Sequence, residues 1–302
     1  MTRLPQLADH LIHGFFWIIG LVPMQPAAAL GKALGALWYR LDRRHRKIAR
    51  ANLTIAFGDQ KTPLEIDRLA RRSFQNLGRL LFEVGWLQRL KPGEVSHHFF
   101  LEGFTPGRLA QLRRGALVVT GHFGNWEVLP AAAAMLGVRL SIVYRPLDFA
   151  PLDRFFGHSR SRFGADLIPK KKALFRIVRA LRENRTVGIL MDQNAKRDQG
   201  VFVDFFGRSV STHKGLAQLA LKTQTPVYPL FLVRQDPGFT VLLGDQIPLA
   251  ITGDPMRDVA LNTRRYNQAL EEIIRRYPDQ WFWVHRRWKK QPKPGQPVWN
   301  AL

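Results

Sequence analysis

The sequence predicts an α/β protein in which a largely parallel central sheet is flanked by helices and preceded by an N-terminal helical segment. Three observations support this prediction. Residues 11–22 form a nearly uninterrupted apolar run, residues 27–90 show helical periodicity, and from residue 116 short apolar runs alternate with helical stretches. The last pattern is typical of β-α units, because parallel strands need crossover connections that are usually helical.

The N-terminal apolar run, Leu11 to Val22, is interrupted only by His13. A helix that spans a bilayer needs about 20 apolar residues, and the run reaches that length only when flanking residues back to Leu4 are counted, several of them polar. We therefore expect residues 1–26 to be an apolar, membrane-associating anchor that spans marginally or lies in the interface. A buried core helix is the alternative, since the pattern alone also fits it.

The helical part that follows carries three local signals. Ala27, Gly31 and Gly35 are spaced to let a neighbouring helix approach closely, and we expect that neighbour to be the first apolar segment. The cations of residues 40–50 predict either a surface that faces lipid headgroups or a solvated helix face. Residues 62–65, Thr-Pro-Leu-Glu, predict a helix start with a capping box.

The pattern of the C-terminal two thirds of the chain predicts strands that alternate with helices. The predicted elements are strand Ala116–Thr120, helix Trp126–Leu136, strand Arg139–Tyr144, helix Lys171–Glu183, strand Val187–Met191, a hairpin of Pro226–Val233 and Phe239–Leu243 near the sheet edge, and helix Leu261–Arg276. No internal repeat or low-complexity linker interrupts this part. Residues 27–302 are therefore expected to form one domain.

The charge and composition restrict the function classes. The 302 residues include 46 lysines and arginines against 23 acidic residues, a formal net charge of +23. Solubility needs only about 2–8 charges, so we expect a polyanionic partner: nucleic acid, an anionic membrane with phosphorylated lipids, or an acidic carrier protein. The chain has no cysteine, which excludes disulfides, thiolate nucleophiles and Cys-rich zinc sites. Its nine histidines form no recognisable ligand cluster, so neither a metal nor a cofactor is expected.

The segment most suggestive of chemistry is residues 120–127, Thr-Gly-His-Phe-Gly-Asn-Trp-Glu, where a predicted buried strand ends and a helix begins. Open α/β sheets place their ligand sites at such positions. Gly121 and Gly124 permit a tight turn and the close approach of a substrate to the backbone. Asn125 is suited to cap the helix.

Within this segment, His122 and Glu127 are the predicted catalytic pair. Side chains five residues apart on one helix point about 140° apart, so His122 must lie in the turn and fold back towards the Glu127 carboxylate. The carboxylate would then fix the imidazole tautomer, and the free ring nitrogen would take a proton from a hydroxyl. No Gly-x-Ser-x-Gly elbow is present, so the substrate hydroxyl itself is the expected nucleophile. A core histidine is the alternative interpretation.

The sequence resembles the late acyltransferases of lipid A biosynthesis, within the glycerolipid acyltransferase-like superfamily. Besides the 120–127 segment, the blocks that carry the resemblance are Tyr144-Arg145-Pro146, Leu167-Ile168-Pro169-Lys170, Asp192-Gln193, Val203-Asp204-Phe205-Phe206-Gly207, Pro226-Val227-Tyr228-Pro229 and residues 277–289. The resemblance implies an acyltransferase domain over residues 27–302, acyl carrier protein thioesters as donors and a phosphorylated glycolipid, a tetraacylated Kdo-bearing lipid A precursor, as acceptor. It also implies the cytoplasmic face of the bacterial inner membrane, and lauroyl or myristoyl transfer.

Carried over residue by residue, the resemblance makes His122 and Glu127 the catalytic dyad. The expected substrate-binding residues, each with a structural alternative, are Arg145, Lys170, Asp192, Gln193, His285 and Arg286. Arg145 would bind an acceptor phosphate or an oxyanion, or else close a strand end by a salt bridge. Asp192 and Gln193 would hold sugar hydroxyls or anchor a loop, on the same sheet edge as His122 if their strands are parallel. Lys170 would serve phosphates or the carrier protein, unless it is a solvated helix start.

The C-terminal aromatic and basic segment, residues 281–288, has two interpretations. Its tryptophans interleaved with His285 and Arg286 suit a membrane interface. Alternatively, the segment folds down and packs on the core.

Three other functions compete with this one. Acylation of another membrane glycolipid, such as a phosphatidylinositol mannoside, would use the same dyad. A basic nucleic-acid-binding protein would explain the charge but neither the apolar N-terminus nor the glycine-flanked His122, and no zinc-finger, RNP or Gly-x-x-Gly signature supports it, so no nucleic-acid partner is expected. Metal-dependent hydrolysis lacks a ligand motif.

Overall fold

The computed structural model describes residues 3–236 and 238–299, and within them a central seven-stranded sheet is covered by helices. The helices are α1 (Arg3–Ile19), α2 (Met24–Leu41), α3 (Arg43–Phe57), α4 (Pro63–Arg89), α5 (Pro106–Arg114), α6 (Leu129–Met135), α7 (Ala150–Ser161), α8 (Ala173–Arg182), α9 (Gly215–Thr223) and α10 (Pro255–Arg276). The strands are β1 (Phe99–Glu102), β2 (Leu117–Thr120), β3 (Leu140–Tyr144), β4 (Asp166–Pro169), β5 (Thr186–Leu190), β6 (Gly200–Phe205), β7 (Arg208–His213), β8 (Val227–Arg234) and β9 (Phe239–Leu243).

The large sheet has the strand order β1-β9-β8-β2-β5-β3-β4. The strands from β8 to β4 are mutually parallel, whereas β9 runs antiparallel to β8 and parallel to β1. A separate antiparallel hairpin joins β6 to β7. The predicted largely parallel α/β sheet is therefore confirmed, and so is the β8–β9 hairpin near one edge. Pro237, in the predicted turn of that hairpin, lies outside the described residues.

Strand β2 shows why the sheet is buried on both faces. Leu117 and Val119 pack into the main hydrophobic cluster, while Val118, which points the other way, packs into a second cluster with Leu112 and Leu136. All four residues of the strand are buried. A continuous apolar run is the expected pattern for a parallel strand covered on both sides, so β2 is held at the centre of the fold.

The helix α2 packs against α4 through glycines. A Cβ at Gly35 would overlap the Phe74 carbonyl oxygen, and one at Gly78 would overlap the carbonyl of Gly31. The close neighbour of the small-residue stripe is therefore α4, and the expectation that it would be the first apolar segment is wrong. The predicted capping box at the start of α4, between Thr62 and Glu65, is confirmed.

The first helix, α1, packs on α4 and α7. Phe16 is buried and stacks on Phe155 with ring centroids 4.2 Å apart, and Asp9 forms an ion pair with Arg154. In the described part of the chain, no single helix is long and apolar enough to cross a membrane; residues 6–19 and 24–41 reach that size only as a pair bent by 117°. The expected membrane association of the N-terminus is not confirmed by this finding.

The aromatic C-terminal segment lies in the core. Trp281, Trp283 and Trp288 are buried, and Arg287 is completely buried beside them. The side-chain amide of Asn52 donates to the carbonyls of Trp283 and His285. The membrane-interface interpretation of these tryptophans is therefore wrong, and the alternative of a folded-down segment is correct.

Candidate active site

The site lies at the carboxyl edge of the parallel strands. Because β2, β5, β3 and β4 are parallel neighbours, the residues that follow them meet at one edge: His122 after β2, Asp192 after β5, Arg145 after β3 and Lys170 after β4. Ligand sites of open α/β sheets form there. The predicted placement of Asp192 and Gln193 on the same edge as His122 is confirmed.

Two glycines shape the turn that carries His122. Gly124 has φ +57°, and a Cβ there would overlap the Leu232 carbonyl oxygen. A Cβ at Gly121 would lie 3.2 Å from the Asp192 carboxylate. The side chain of Asn125 accepts a hydrogen bond from the backbone N–H of Glu127 and so caps the short 3-10 turn that begins at Trp126. The turn therefore needs small residues in order to hold His122 against Asp192.

The His122 ring is held by Asp192. Its Nδ1 lies 2.8 Å from Oδ1 of Asp192, and its backbone N–H donates to Oδ2 of the same carboxylate at 2.8 Å. The indole N–H of Trp281 donates to that Oδ2 as well, also at 2.8 Å. The carboxylate is buried, whereas the His122 side chain is about one fifth exposed, at 21%. One ring nitrogen is therefore fixed inside the protein while part of the ring remains accessible.

The ionisation of Asp192 sets the tautomer of His122. Burial alone would raise the pKa of Asp192, but the His122 ring and backbone N–H, with the Trp281 indole, outweigh burial and lower that pKa from 3.8 to about 2. The ionised carboxylate can only accept hydrogen bonds, so Nδ1 of the neutral ring must carry the proton. Nε2 is left as the basic nitrogen, as a general base requires.

Glu127 does not make the predicted contact with His122. Both of its oxygens accept hydrogen bonds from Arg160, at 2.7 and 2.8 Å, and Oε1 also accepts from the indole N–H of Trp126 at 3.0 Å. The Trp126 ring meets the His122 ring edge to face, with centroids 4.8 Å apart. The expected orienting partner is corrected: Asp192 holds the imidazole, and Glu127 reaches it only through Trp126.

The C-terminal segment holds the loop that follows β5 through two hydrogen bonds. The Arg287 guanidinium donates to the carbonyl of Gln193 at 2.8 Å, and Nε2 of His285 accepts from the backbone N–H of Asn194 at 2.9 Å. Burial lowers the pKa of His285 to about 4, so its ring is neutral. His285 thus uses its Nε2 to hold the backbone of the loop at Asn194. The side-chain nitrogen of Gln193 faces the site and lies 3.4 Å from Nε2 of His122.

The remaining predicted substrate-binding residues are on the surface. Arg145 forms an exposed ion pair with Asp148, with 2.6 Å between the charged groups, as in the structural alternative. Lys170 and Arg286 are exposed. The substrate contacts of these residues stay predictions.

The sequence did not reveal three contacts of this arrangement: the hydrogen bond between Asp192 and the His122 ring, the ion pair of Arg160 with Glu127, and the hydrogen bond from Trp281 to Asp192. Asp192 could have been found from the predicted strands, because a carboxylate just after a strand adjacent to β2 meets His122. The order of the strands, however, is not encoded in any local motif. Within the described residues, no group of three or more His, Asp or Glu side chains is arranged to hold a metal ion.

Comparison with known proteins identifies the family. Residues 2–290 match the family model described as bacterial lipid A biosynthesis acyltransferase. The chain is 26% identical to the lipid A biosynthesis lauroyltransferase of Escherichia coli (strain K12), over 97% of this chain and 98% of the relative. It is also 26% identical to the lipid A biosynthesis palmitoleoyltransferase of the same strain, over 92% and 90%. A phosphatidylinositol mannoside acyltransferase of Mycolicibacterium smegmatis is 25% identical over 58% of this chain and 57% of that protein.

The chain belongs to the bacterial lipid A biosynthesis acyltransferase family. It is accordingly an acyltransferase.

Proposed function

We propose that this enzyme transfers a fatty acyl group from an acyl carrier protein thioester to a hydroxyl of a Kdo-bearing lipid A precursor. The observation that carries the proposal is the His122 ring, fixed through Nδ1 by Asp192, with an unprotonated Nε2 that lies 3.4 Å from the Gln193 side-chain nitrogen, in a chain that matches the lipid A acyltransferase family over residues 2–290. No cofactor is needed for this chemistry.

The proposed reaction is a direct transfer. The acceptor hydroxyl lies at Nε2 of His122, which takes its proton as the oxygen attacks the thioester carbonyl. Asp192 stabilises the imidazolium that forms, as the carboxylate of a serine-protease triad does. The tetrahedral intermediate then expels the thiolate, which recovers the proton from His122. The C–S bond is exchanged for a C–O ester bond, and no acyl-enzyme forms.

Glu127 and Trp281 act as positioning residues in this mechanism. Trp281 fixes the Asp192 oxygen that does not face the ring, at 2.8 Å. Glu127, paired with Arg160, holds the Trp126 indole that packs on the ring of His122. Both side chains therefore restrict the ring without touching the reacting atoms.

We also propose that α1 and α2 attach the enzyme to the cytoplasmic face of the inner membrane. Each helix carries a stripe of exposed leucine, phenylalanine or isoleucine at helical spacing: Leu7, Leu11, Phe15 and Ile18 on α1, and Leu30, Leu34, Leu37 and Leu41 on α2. Outward apolar stripes followed in the chain by a basic segment, residues 40–50, suit the bilayer interface. The net charge of +23 would add attraction to anionic lipids.

Membrane attachment is tested by vesicle flotation of the full chain with vesicles containing anionic lipid. Leu11→Glu combined with Leu37→Glu removes apolar contact from both helices. Ile251→Glu, which changes an equally exposed residue of the loop between β9 and α10, is the matched control. We expect the double variant to lose flotation and the control to keep it. Equal flotation of all three proteins would contradict the proposal.

The acceptor is tested by expressing the chain in a host that lacks its late acyltransferases and measuring its lipid A by mass spectrometry. The expected result is a lipid A species heavier by one acyl group, absent from cells that carry His122→Ala. Acylation confined to a phosphatidylinositol mannoside, supplied in a parallel assay with purified lipid, would favour the alternative acceptor that the Mycolicibacterium smegmatis relative suggests.

A further inference from the structure

The turn that carries His122 is held on the side opposite Asp192. Strand β8 is the other parallel neighbour of β2 and ends at Arg234, at the same edge of the sheet. The Arg234 guanidinium donates to the Gly124 carbonyl at 3.3 Å. The backbone N–H and carbonyl of Arg234 both bond to the side chain of Gln280, whose own carbonyl accepts from the Gly124 N–H at 2.9 Å. The backbone of the turn is therefore fixed at Gly124 from the end of β8.

A buried carboxylate of α4 completes this arrangement. Both oxygens of Glu83 accept from the Arg234 guanidinium, at 2.5 and 2.7 Å, and the side-chain amide of Asn125 donates to Oε2 of the same carboxylate at 3.0 Å. The side chains of Glu83 and Arg234 are 8% and 2% exposed, and Asn125 is completely buried. Glu83 thus reaches the turn twice, directly at Asn125 and through Arg234 at Gly124.

The helix that carries Glu83 is itself tightly fixed. A Cβ at Gly78 would overlap the Gly31 carbonyl oxygen on α2, and a Cβ at Gly85 would lie 2.9 Å from the Phe16 carbonyl oxygen on α1. Side chains placed on rigid elements hold a site more precisely than side chains on loops do. Glu83, which lies between the two glycines of α4, is therefore a firm anchor for the turn.

Stability alone does not account for two opposite charges at this place. Charges lose hydration on burial, and replacing a buried ion pair by apolar side chains of similar volume is often neutral or stabilising. What apolar side chains cannot supply is direction, because the fork of an arginine and the two oxygens of a carboxylate each bind several partners in a fixed geometry. Here these directed hydrogen bonds end on two consecutive residues of the turn, Gly124 and Asn125. The pair is therefore suited to set the position of the turn.

We propose that Glu83 and Arg234 are positioning residues of the acyl transfer. By holding the turn, they keep Nδ1 of His122 at the Asp192 carboxylate and Nε2 towards the acceptor hydroxyl. Neither side chain touches the reacting atoms. The proposal rests on the function proposed above, which makes His122 the base. A misplacement of about 1 Å costs about 10²-fold in rate, so the effect on catalysis should be large.

The test separates this role from stability by its choice of variants. Glu83→Met combined with Arg234→Met removes both charges and keeps most of the volume, so that neither charge is left unpaired in the core. Arg234→Lys keeps a charge opposite Glu83 but loses the fork that reaches Gly124. This milder variant decides the question if the double variant does not fold.

Asp236→Asn is the matched control. Among the described residues, the ion pairs of Asp236 are with Lys32 and Arg79, and Nε of Arg79 lies 3.4 Å from Oε1 of Glu83. The control therefore weakens the same charge network at its outer end and leaves the contacts with the turn in place. It should lose some stability but no activity.

Two quantities are measured on the full-length chain in detergent micelles, under conditions in which urea unfolding shows each variant to be folded. The first is kcat, with KM for each substrate, in the acyl-transfer assay. The second is the resonance of the Nδ1 proton of His122 in ¹⁵N-histidine-labelled enzyme without substrate, assigned by its absence from His122→Gln. This resonance reports the hydrogen bond to Asp192 whatever the acceptor of the acyl group is.

We expect the double variant to lose about 10²-fold in kcat with unchanged KM, and to show a displaced Nδ1 resonance. Arg234→Lys should show the same changes to a smaller extent, and Asp236→Asn should show neither. A folded double variant with wild-type kcat or with the wild-type resonance would overturn the proposal, and so would an equal loss of kcat in Asp236→Asn. If the double variant does not fold, wild-type kcat and resonance in Arg234→Lys would overturn it. A wild-type chain that transfers no acyl group to the lipid A precursor would contradict the proposed function, and the Nδ1 resonance would then decide the positioning role by itself.

Discussion

The Asp192→Asn variant tests the contact on which the mechanism depends. In the wild-type protein, Oδ2 of Asp192 accepts two fixed donors, the backbone N–H of His122 and the indole N–H of Trp281, while Oδ1 accepts Nδ1–H of the ring. An asparagine has one oxygen, and the two fixed donors must take it. The new NH₂ group then faces Nδ1, so Nδ1 becomes an acceptor and the ring proton moves to Nε2. The nitrogen that should remove the hydroxyl proton would no longer be basic.

The expected magnitude follows from that inverted tautomer. General-base catalysis contributes about 10²–10⁴-fold, and the matching change in a serine-protease triad lowers kcat about 10⁴-fold with little change of geometry. We therefore expect kcat to fall by about 10³-fold or more at saturating donor and acceptor. The side-chain volume and two of the three hydrogen bonds are kept, so the free energy of unfolding should fall by only about 1–3 kcal/mol.

The assay is steady-state transfer of a radiolabelled acyl group, with the ring tautomer of His122 read from ¹⁵N chemical shifts. Asp198→Asn removes an exposed carboxylate from the same loop and serves as the control; it should behave as the wild-type enzyme. Activity of Asp192→Asn within a few-fold of wild type would show that Asp192 does not set the tautomer on which catalysis depends. Loss of activity with an unchanged tautomer would also count against that role of Asp192.

Three further outcomes are expected. Glu127→Gln leaves the largely buried Arg160 charge without its bidentate partner, so the free energy of unfolding should fall by about 3 kcal/mol or more. The fall in kcat should be smaller than in Asp192→Asn. A larger fall in kcat than in Asp192→Asn would show that Glu127, and not Asp192, orients the His122 ring. Gly124→Ala places a methyl group against the Leu232 carbonyl at positive φ, and urea unfolding should show a loss of about 2–4 kcal/mol, whereas an unchanged midpoint would contradict the described turn. Folding lowers the pKa of Asp192 from 3.8 to about 2, so the ionised carboxylate contributes its full stabilisation of the fold above pH 4 and loses it as pH falls towards 2. The difference in unfolding free energy between wild type and Asp192→Asn should therefore narrow in that window by up to about 1.4 kcal/mol per pH unit. A constant difference would show that the carboxylate is not ionised in the folded protein.

The alternation of strands and helices was predictable from the sequence, because a strand buried in a parallel sheet leaves a short, continuous apolar run. The apolar runs at β2, β3 and β5 are short, are bounded by turn residues and alternate with helices, so the strands could be located within one or two residues. The short strand β4 and the β6–β7 hairpin were not predicted as strands. Asp166–Pro169 has only four residues, and the hairpin lies outside the large sheet, where no helix alternates with it.

The partners across the fold were not predictable in the same way. The small residues of α2 signalled a close helix contact but not that α4 would make it, because spacing describes one surface and not its complement. The tryptophans of the C-terminal segment are amphipathic and fit either a core or a membrane interface. In the folded protein this segment makes contacts that are distant in sequence: Asn52, more than 200 residues away, donates to the Trp283 carbonyl.

The candidate site shows the same division between local and long-range information. The glycines around His122 and the cap at Asn125 were predictable, because a tight turn restricts its residues locally. The choice between Glu127 and Asp192 as partner of the ring depends on the pairing of β2 with β5 and on Arg160, which takes the Glu127 carboxylate. Neither feature is encoded near residue 122.

In the proposed mechanism, His122 deprotonates the acceptor hydroxyl and the acyl group passes directly to that hydroxyl. The most direct measurement incubates the full-length wild-type enzyme and His122→Ala with radiolabelled acyl carrier donor, with and without acceptor, then separates protein from lipid under denaturing conditions. We expect label in the lipid for the wild-type enzyme only, no label in either protein, and preserved donor binding by His122→Ala. A labelled protein that passes its acyl group to added acceptor, or normal transfer by His122→Ala, would contradict the proposed mechanism.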